Sequence, residues 1–155
     1  MWQNWRFFKT GCRQILFQLI KRSDYRLGYQ VKASMIFYQD SRYRDFLFWL
    51  KKKLRYGYVR DRNDHISEYN IVGFRAVGKI IKILYPYLIL KKDQANLALS
   101  ILENFPANGR VYSAKMLLSL AEEVDKFSEL NYSKKRTNTS KSVHRFLLEN
   151  KLLSP

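Results

Sequence analysis

The sequence predicts an α+β fold, in which an antiparallel sheet of about four strands is covered by helices on one face. Apolar residues alternate with others over 15–21 and 29–38, and again on both arms of GYVRDRNDHISEYNI, residues 57–71. Such alternation is typical of strands that are buried on one side only. After each pair of strands, apolar residues recur every three or four positions, which is typical of helices.

The first two strands are predicted to form a hairpin, because the turn-like residues KRSDYRLG separate them. One side of the second strand is suited to a core and carries Tyr29, Val31, Ala33, Met35 and Phe37. Its other side carries Gln30, Lys32, Ser34 and Ile36. On the first strand Gln18 shares a side with Leu16 and Ile20, so polar and apolar residues are less clearly separated there.

The helices are predicted from spacing and capping residues. The first lies in DSRYRDFLFWLKKKL, where Asp40 or Ser41 can cap it and apolar residues recur at 46, 47, 50 and 54. A second repeats apolar residues from Phe74 to Leu84 and must end before Pro86, because proline breaks helices. Further helices are predicted over about 93–104, 113–130 and 143–148. The polar segment NYSKKRTNTSKS, before the last of them, is predicted to be a linker.

The second hairpin places polar residues on one side. Tyr58, Arg60 and Arg62 share a side of its first strand, and Glu68 and Asn70 lie on the matching side of its second. A twisted antiparallel ribbon fits the major groove of DNA, where Arg suits guanine, Asn suits adenine and Glu accepts from cytosine. Alternating polar residues also occur on any sheet with one solvated face, so both interpretations stay open here.

The balance of charge favours a polyanionic partner. The 155 residues include 29 Lys and Arg but 13 Asp and Glu, which gives a formal net charge of +16. The single cysteine excludes an intramolecular disulfide and a cysteine-rich zinc site, and the two histidines, His65 and His144, are far apart in the sequence. No apolar run reaches the length of a membrane span, and residues 1–14 lack the features of a signal peptide. We therefore expect a soluble protein of the cytosol or an organelle, with no membrane partner.

Four runs of residues carry a resemblance to a known family. GYVRDR, SEYNI, PYLILKKDQANL and LNYSKKRTNTSKSV keep the order and spacing found in the single-motif LAGLIDADG homing endonucleases of organelle and bacterial introns. The likeness extends from Gln30 to Pro155. It implies an αββαββα core whose saddle-shaped sheet lies on the major groove, followed by C-terminal helices. Two such cores would join to cut both strands of a long, near-palindromic DNA site.

The resemblance also implies roles for individual residues. The positions that read DNA in the family fall on Gln18, Arg22, Gln30, Lys32, Arg60, Arg62, Glu68 and Asn70. Of the polar catalytic positions, Gln39 would place ordered water around the cleavage site and Lys91 would stabilise phosphate charge. The basic position that follows the glutamine falls on Tyr43, between Arg42 and Arg44.

The motif that names the family is replaced in this chain. In the run WRFFKTGCRQ, Gly11 falls on the glycine before the catalytic acid and Cys12 falls on the acid itself. The resemblance implies a Mg²⁺ ion held by that acid, but a thiol is a poor ligand for Mg²⁺, which prefers oxygen. No metal ligand is therefore assigned. Either the fold has lost its catalytic end, or the true first helix is encoded upstream or in another reading frame.

These observations predict three regions: an atypical segment at 1–14, an endonuclease-like domain at 15–132, and a basic linker with a short helix at 133–155. The predicted function is site-specific, metal-dependent cleavage of double-stranded DNA by a homodimer. The alternative is an inactive relative that binds DNA or intron RNA without cutting. A structural RNA-binding protein of a ribosome would explain charge and size, but not the ordered likeness. The implied location is a chloroplast, a mitochondrion or the bacterial cytoplasm.

Overall fold

The computed structural model describes residues 13–89, 91–131 and 136–153. The predictions for residues 1–12, including those for Gly11 and Cys12, lie outside the described residues. Part of the predicted linker, 132–135, also lies outside them.

The described residues form a four-stranded antiparallel sheet, as predicted. Its strands are β1 (Arg13–Lys21), β2 (Tyr29–Asp40), β3 (Tyr58–Asp61) and β4 (Ile66–Val72). Their order across the sheet is β1-β2-β4-β3, so the two hairpins meet through their longer strands. Register pairs Gln18 with Lys32 and Tyr38 with Glu68. Even-numbered residues of both hairpins therefore lie on one face, because side chains alternate along a strand.

Five helices follow or separate these strands within the described ranges. They are α1 (Asp45–Leu54), α2 (Phe74–Leu84), α3 (Lys92–Asn104), α4 (Ala114–Leu130) and α5 (Ser140–Glu149). Short 3₁₀ turns cover Ser41–Tyr43 and Tyr85–Tyr87. None of these helices combines the length and apolar character needed to cross a membrane.

One hydrophobic core lies between the sheet and the helices. All five residues predicted for the core side of β2 are buried, as are Ile15, Phe17 and Leu19 of β1. The apolar stripe of α2 is buried throughout: Phe74, Val77, Ile80, Ile81 and Leu84. Burying a side chain of this size contributes roughly 1.5–3 kcal/mol, so the core fixes which face of the sheet the helices cover.

Two helix starts differ from the sequence prediction. The Asp40 carboxylate accepts a hydrogen bond from the Arg42 backbone N–H, but it caps the 3₁₀ turn, and α1 begins only at Asp45. Helix α5 begins at Ser140, because the Thr139 side chain accepts from the backbone N–H of Ser142 and closes a capping box. The predicted linker therefore includes three helical residues, 140–142.

Helix α5 packs against the turn between β1 and β2. Val143 and Leu147 are buried in the common core. Gly28, with φ +72°, has the Phe146 ring so close that an added Cβ would lie 2.2 Å from it. Only glycine allows that approach and that backbone conformation together.

Candidate DNA interface

The β3–β4 hairpin carries a cluster of charged side chains on the face opposite the core. The Glu68 side chain is 4% exposed, whereas those of Arg60 and Arg62 are 58% and 43% exposed. Arg60 lies directly across the ladder from Glu68. The predicted polar side of this hairpin is confirmed, and both guanidinium groups are accessible from solvent.

Glu68 holds both arginines. Its carboxylate accepts from Arg60 Nε at 2.7 Å and from Arg62 Nη1 at 3.1 Å. Asn70 Nδ2 donates to the same carboxylate at 3.4 Å. The sequence predicted Glu68 and Asn70 as open reading positions, but both residues are buried in the free protein. Glu68 is in a position to orient its neighbours.

The two arginines differ in what they leave free. Arg60 uses Nε, so its two terminal nitrogens make no hydrogen bond to a described residue. Arg62 donates from Nη1 to Glu68 and from Nη2 to Asp64, at 2.7 Å in the latter pair. A bidentate contact to guanine needs two free, coplanar donors. Arg60 presents that arrangement directly, whereas Arg62 must first release an acid.

Two opposing effects set the pKa of Glu68. Burial raises the pKa of Glu68, but hydrogen bonds from Arg60, Asn70 and Arg62 outweigh burial, and the net pKa lies below the ordinary value. The carboxylate therefore stays charged at neutral pH.

A second polar cluster lies at the other end of the same face. It contains the remaining predicted reading residues, Gln18, Arg22, Gln30 and Lys32. Arg22 donates from Nη1 to Gln30 Oε1 at 3.4 Å, and its Nε and Nη2 donate to Asp24 at 2.9 and 2.8 Å. The hydrogen bond from Arg22 lowers the pKa of Asp24 to about 2. Arg22 is thus fixed in a bidentate pair beside Gln30.

Apolar and small residues separate the two clusters. Leu16, Ser34 and Val72 align in one row across the sheet, and Ile36 pairs with Asn70 in the next. Lys32 and Tyr38, the partner of Glu68, are six residues apart on β2. At about 3.3 Å per residue, the clusters lie roughly 20 Å apart. That distance corresponds to about six base pairs of B-DNA.

The predicted catalytic residues lie on different elements. Gln39 is near the end of β2 and pairs with Ser67 on β4, whereas Lys91 immediately precedes α3. Both are half-buried, and neither side chain makes a hydrogen bond or ion pair with another described residue. Tyr43, at the family's basic position, is exposed. Its neighbours are both paired, Arg42 with Asp40 and Arg44 with Asp61, each at 2.8 Å.

Sequence reasoning missed a cleft beside the second cluster. It has a volume of about 540 Å³ and lies between the β1–β2 turn and the α3–α4 loop. Its wall includes Tyr25, Arg26, Gln30, Arg110 and Tyr112. The signal was present as aromatic and basic neighbours in two loops, but nothing in the sequence showed that these loops meet.

Within the described ranges, no group of three or more His, Cys, Asp and Glu residues is placed so that it could hold a metal ion. The family's acid position, Cys12, lies outside those ranges.

Comparison with known proteins identifies the family. The chain is 36% identical to the DNA endonuclease I-CvuI of Chlorella vulgaris over 137 residues, which are 88% of this chain and 82% of that protein. The chain belongs to the single-motif LAGLIDADG homing endonuclease family. It is also 32% identical to the DNA endonuclease I-CreI of Chlamydomonas reinhardtii over 140 residues, 90% of this chain and 84% of that protein. No family model matches the chain.

Solved structures of the family share the fold. A crystal structure of I-CvuI with the I-CreI target in the presence of Mg, in which the DNA is not cleaved, matches with a TM-score of 0.86 and 32% identity. That match covers 98% of this chain and 94% of I-CvuI. The archaeal intron-encoded homing endonuclease I-Vdi141I, complexed with DNA, gives a TM-score of 0.80 at 17% identity, over 97% of this chain and 96% of that one. The predicted LAGLIDADG endonuclease fold is therefore confirmed.

Proposed function

We propose that this protein is a site-specific homing endonuclease that reads double-stranded DNA with the open face of its sheet and cuts phosphodiesters with a divalent metal. The observation that carries the proposal is the Glu68 carboxylate, which holds the exposed Arg60 through Nε and leaves both terminal nitrogens without a hydrogen bond to a described residue. Two features support it: the family's DNA-bound structures share this fold, and the net charge is +16.

Recognition would use both clusters. Arg60 would donate to guanine O6 and N7. Arg62 would also contact the DNA once its ion pair with Asp64 is broken. Asn70 suits adenine and would become accessible when the Glu68 network rearranges. Gln18, Arg22, Gln30 and Lys32 would contact a second segment of the major groove. The spacing of about 20 Å between the clusters suits contacts about six base pairs apart.

Catalysis would involve Gln39 and Lys91 in the roles that the family resemblance implies. Gln39 would position water, and the Lys91 ammonium group would stabilise charge on the scissile phosphate. A divalent metal would supply an activated nucleophile and neutralise phosphate charge. The described residues offer no ligand set for it, and the thiol at position 12 suits Mg²⁺ poorly, so we assign no catalytic step to a metal site.

A second function is favoured by Cys12. Because the family's acid position carries a thiol, this chain would bind its site without cutting, as a regulator of DNA or a helper of intron RNA. In either case we infer that the protein acts as a homodimer on a near-palindromic site. The relatives come from Chlorella vulgaris and Chlamydomonas reinhardtii, which supports an organelle as the location of this protein.

One experiment separates these functions. Preferred sites are selected from a random duplex library with the wild-type chain, and the selected site is then incubated with wild type and Cys12→Asp in Mg²⁺ or in EDTA. Mg²⁺-dependent double-strand cuts by wild type support the endonuclease. Specific binding without cuts by wild type favours the non-cutting function, and cuts by Cys12→Asp alone would show that the thiol prevents cleavage. Selection that yields no preferred sequence contradicts both.

A further inference from the structure

The end of α1 and the outer side of α2 carry cations, and the one acid of these two helices, Asp45, lies in the first turn of α1. Six basic residues there are exposed, and we call them the helix-side cationic surface: Lys52, Lys53, Arg55, Arg75, Lys79 and Lys82. The sequence contains no Asp or Glu over 46–60 or over 69–92. These helices lie on the covered side of the sheet, so this surface is separate from the interface proposed for duplex DNA.

Tyr56, just after the end of α1, lies beside α2. Arg55 ends α1 in a left-handed conformation, with φ 63°, and Tyr56 follows it. The Lys79 ammonium group of α2 lies 5.8 Å from the centre of the Tyr56 ring. Lys79 therefore lies beside the residue that follows Arg55, where α1 ends.

Acids do not neutralise this surface. None of the six cations lies within 4.0 Å of a carboxylate among the described residues, although eight ion pairs occur elsewhere in the described chain. Glu103 of α3 lines the same groove as Lys79 and Lys82 but pairs with neither. The positive charge remains available to a ligand.

Helix stability does not explain Arg75 and Lys79 of α2. Arg75, Lys79 and Lys82 are spaced so that they repel one another along one stripe. Arg75 also lies in the first turn, where the helix dipole disfavours positive charge and where no acid compensates it. By contrast, Lys82 lies in the last turn of α2, and Lys52 and Lys53 lie in the last turn of α1, where the dipole favours them. A stripe that costs stability suggests a ligand.

An exposed aromatic ring indicates what kind of ligand fits. Phe48 is 50% exposed and lies one turn before Lys52 and one turn after Asp45 on α1. A ring beside cations suits a chain that offers both phosphates and an unstacked base. A duplex keeps its base faces stacked, so it would use the cations but not the ring.

We propose that the helix-side cationic surface binds single-stranded nucleic acid, with phosphates on the cations and a base stacked on Phe48. Since the duplex would lie on the opposite face of the sheet, both ligands can be bound at once. RNA and unpaired DNA share this chemistry, and the test distinguishes them.

The test measures binding of the full-length chain to fluorescent strands of one mixed sequence, as RNA, as single-stranded DNA and as duplex, over a range of salt. The variant is Arg75→Gln with Lys79→Gln and Lys82→Gln. The control has the same charge change at exposed lysines of the other helices and C-terminus: Lys115→Gln, Lys141→Gln and Lys151→Gln. Thermal melting checks that both variants fold.

The helix-side variant should bind single strands about tenfold more weakly, with a salt slope reduced by about 2, because three phosphate contacts are lost. The control should keep its affinity for single strands and its salt slope within about twofold of the wild-type values. Phe48→Leu, which keeps the helix but removes the ring, should weaken single-strand binding about fivefold. Duplex binding by the sheet should be unchanged in all three variants. If RNA and single-stranded DNA bind with different affinities, the one that binds more tightly is the preferred ligand.

Equal losses in the helix-side variant and the control would overturn the proposal, because net charge alone would explain them. A loss confined to the duplex would also overturn it, since a duplex would then occupy this surface. If Phe48→Leu bound single strands as tightly as wild type, the part of the proposal that stacks a base on Phe48 would be wrong.

Discussion

The open sheet face and the helix-side cationic surface are both basic, but they hold their charges differently. On the sheet face Arg60 and Arg62 are paired with Glu68, and Arg22 is paired with Asp24. On α1 and α2 the cations have no acidic partner among the described residues. A paired guanidinium has a fixed orientation, which base recognition requires, whereas an unpaired lysine can follow any phosphate. The difference suggests a reading surface on one side and a gripping surface on the other.

The largest effect is expected from breaking the hairpin that holds the reading surface. Gly57 has φ +74°, and an added Cβ would lie 2.0 Å from the Asn70 carbonyl oxygen. Gly57→Ala should therefore lower the free energy of unfolding by more than about 3 kcal/mol and abolish site-specific binding. The matched control is Gly73→Ala, where φ is +105° but a Cβ would meet nothing within 4 Å. Urea unfolding should show a smaller loss for the control, and equal losses would refute the steric argument.

The next effect concerns specificity. Arg60→Ala should lower the discrimination between bases at one guanine by about 1–3 kcal/mol and leave the preference at the other positions unchanged, because the free nitrogens of Arg60 would form the bidentate contact. Arg75→Ala, on the helix side, should leave sequence preference unchanged. Competition binding against single-base variants of the selected site measures both. If Arg60→Ala lowers affinity equally for every sequence, Arg60 contacts phosphate instead.

A smaller effect should appear in acid. The pKa values of Glu68 and Asp24 are lower in the folded protein than their ordinary values. Their contribution to stability is complete above the ordinary carboxyl pKa, about 4, and is lost as pH falls through the lowered pKa of each group. Glu68→Gln should reduce the slope of stability against pH in this window, as followed by thermal melting. Lys79→Gln should leave the slope unchanged, and an identical slope in both variants would argue against the Glu68 network.

The smallest effect tests the helix-side surface itself. Lys79→Gln removes one member of a repelling stripe, so stability should stay the same or rise by up to about 0.5 kcal/mol. Calorimetry is sensitive enough to determine the sign. A loss above 1 kcal/mol would mean that the packing of Lys79 over Tyr56 outweighs the repulsion.

Strand and helix faces were predictable from the sequence because periodicity directly reports which side a residue takes. Periodicity placed Arg60, Glu68 and Asn70 on the solvent side of the second hairpin. It placed the core residues of β2 on the side of the sheet that the helices cover. Periodicity does not report depth, and the burial of Glu68 beneath two guanidiniums required the fold. Nor could it show that Tyr56 meets Lys79 or that Tyr25 and Tyr112 share a cleft, since these contacts join distant parts of the chain. The starts of α1 and α5 were not predictable, because several neighbouring residues can act as a cap. Asp40 caps the 3₁₀ turn and not α1, and Thr139 caps α5.

The central claim, that Arg60 reads a guanine in the major groove, can be tested by replacing single guanines of the selected site with 7-deazaguanine. This change removes the N7 acceptor while base pairing remains. At one position it should weaken wild-type binding by about 1 kcal/mol and have no effect on Arg60→Ala, since the two changes remove the same hydrogen bond. If no guanine is sensitive, or if the two losses add in full, the sheet does not read DNA through Arg60.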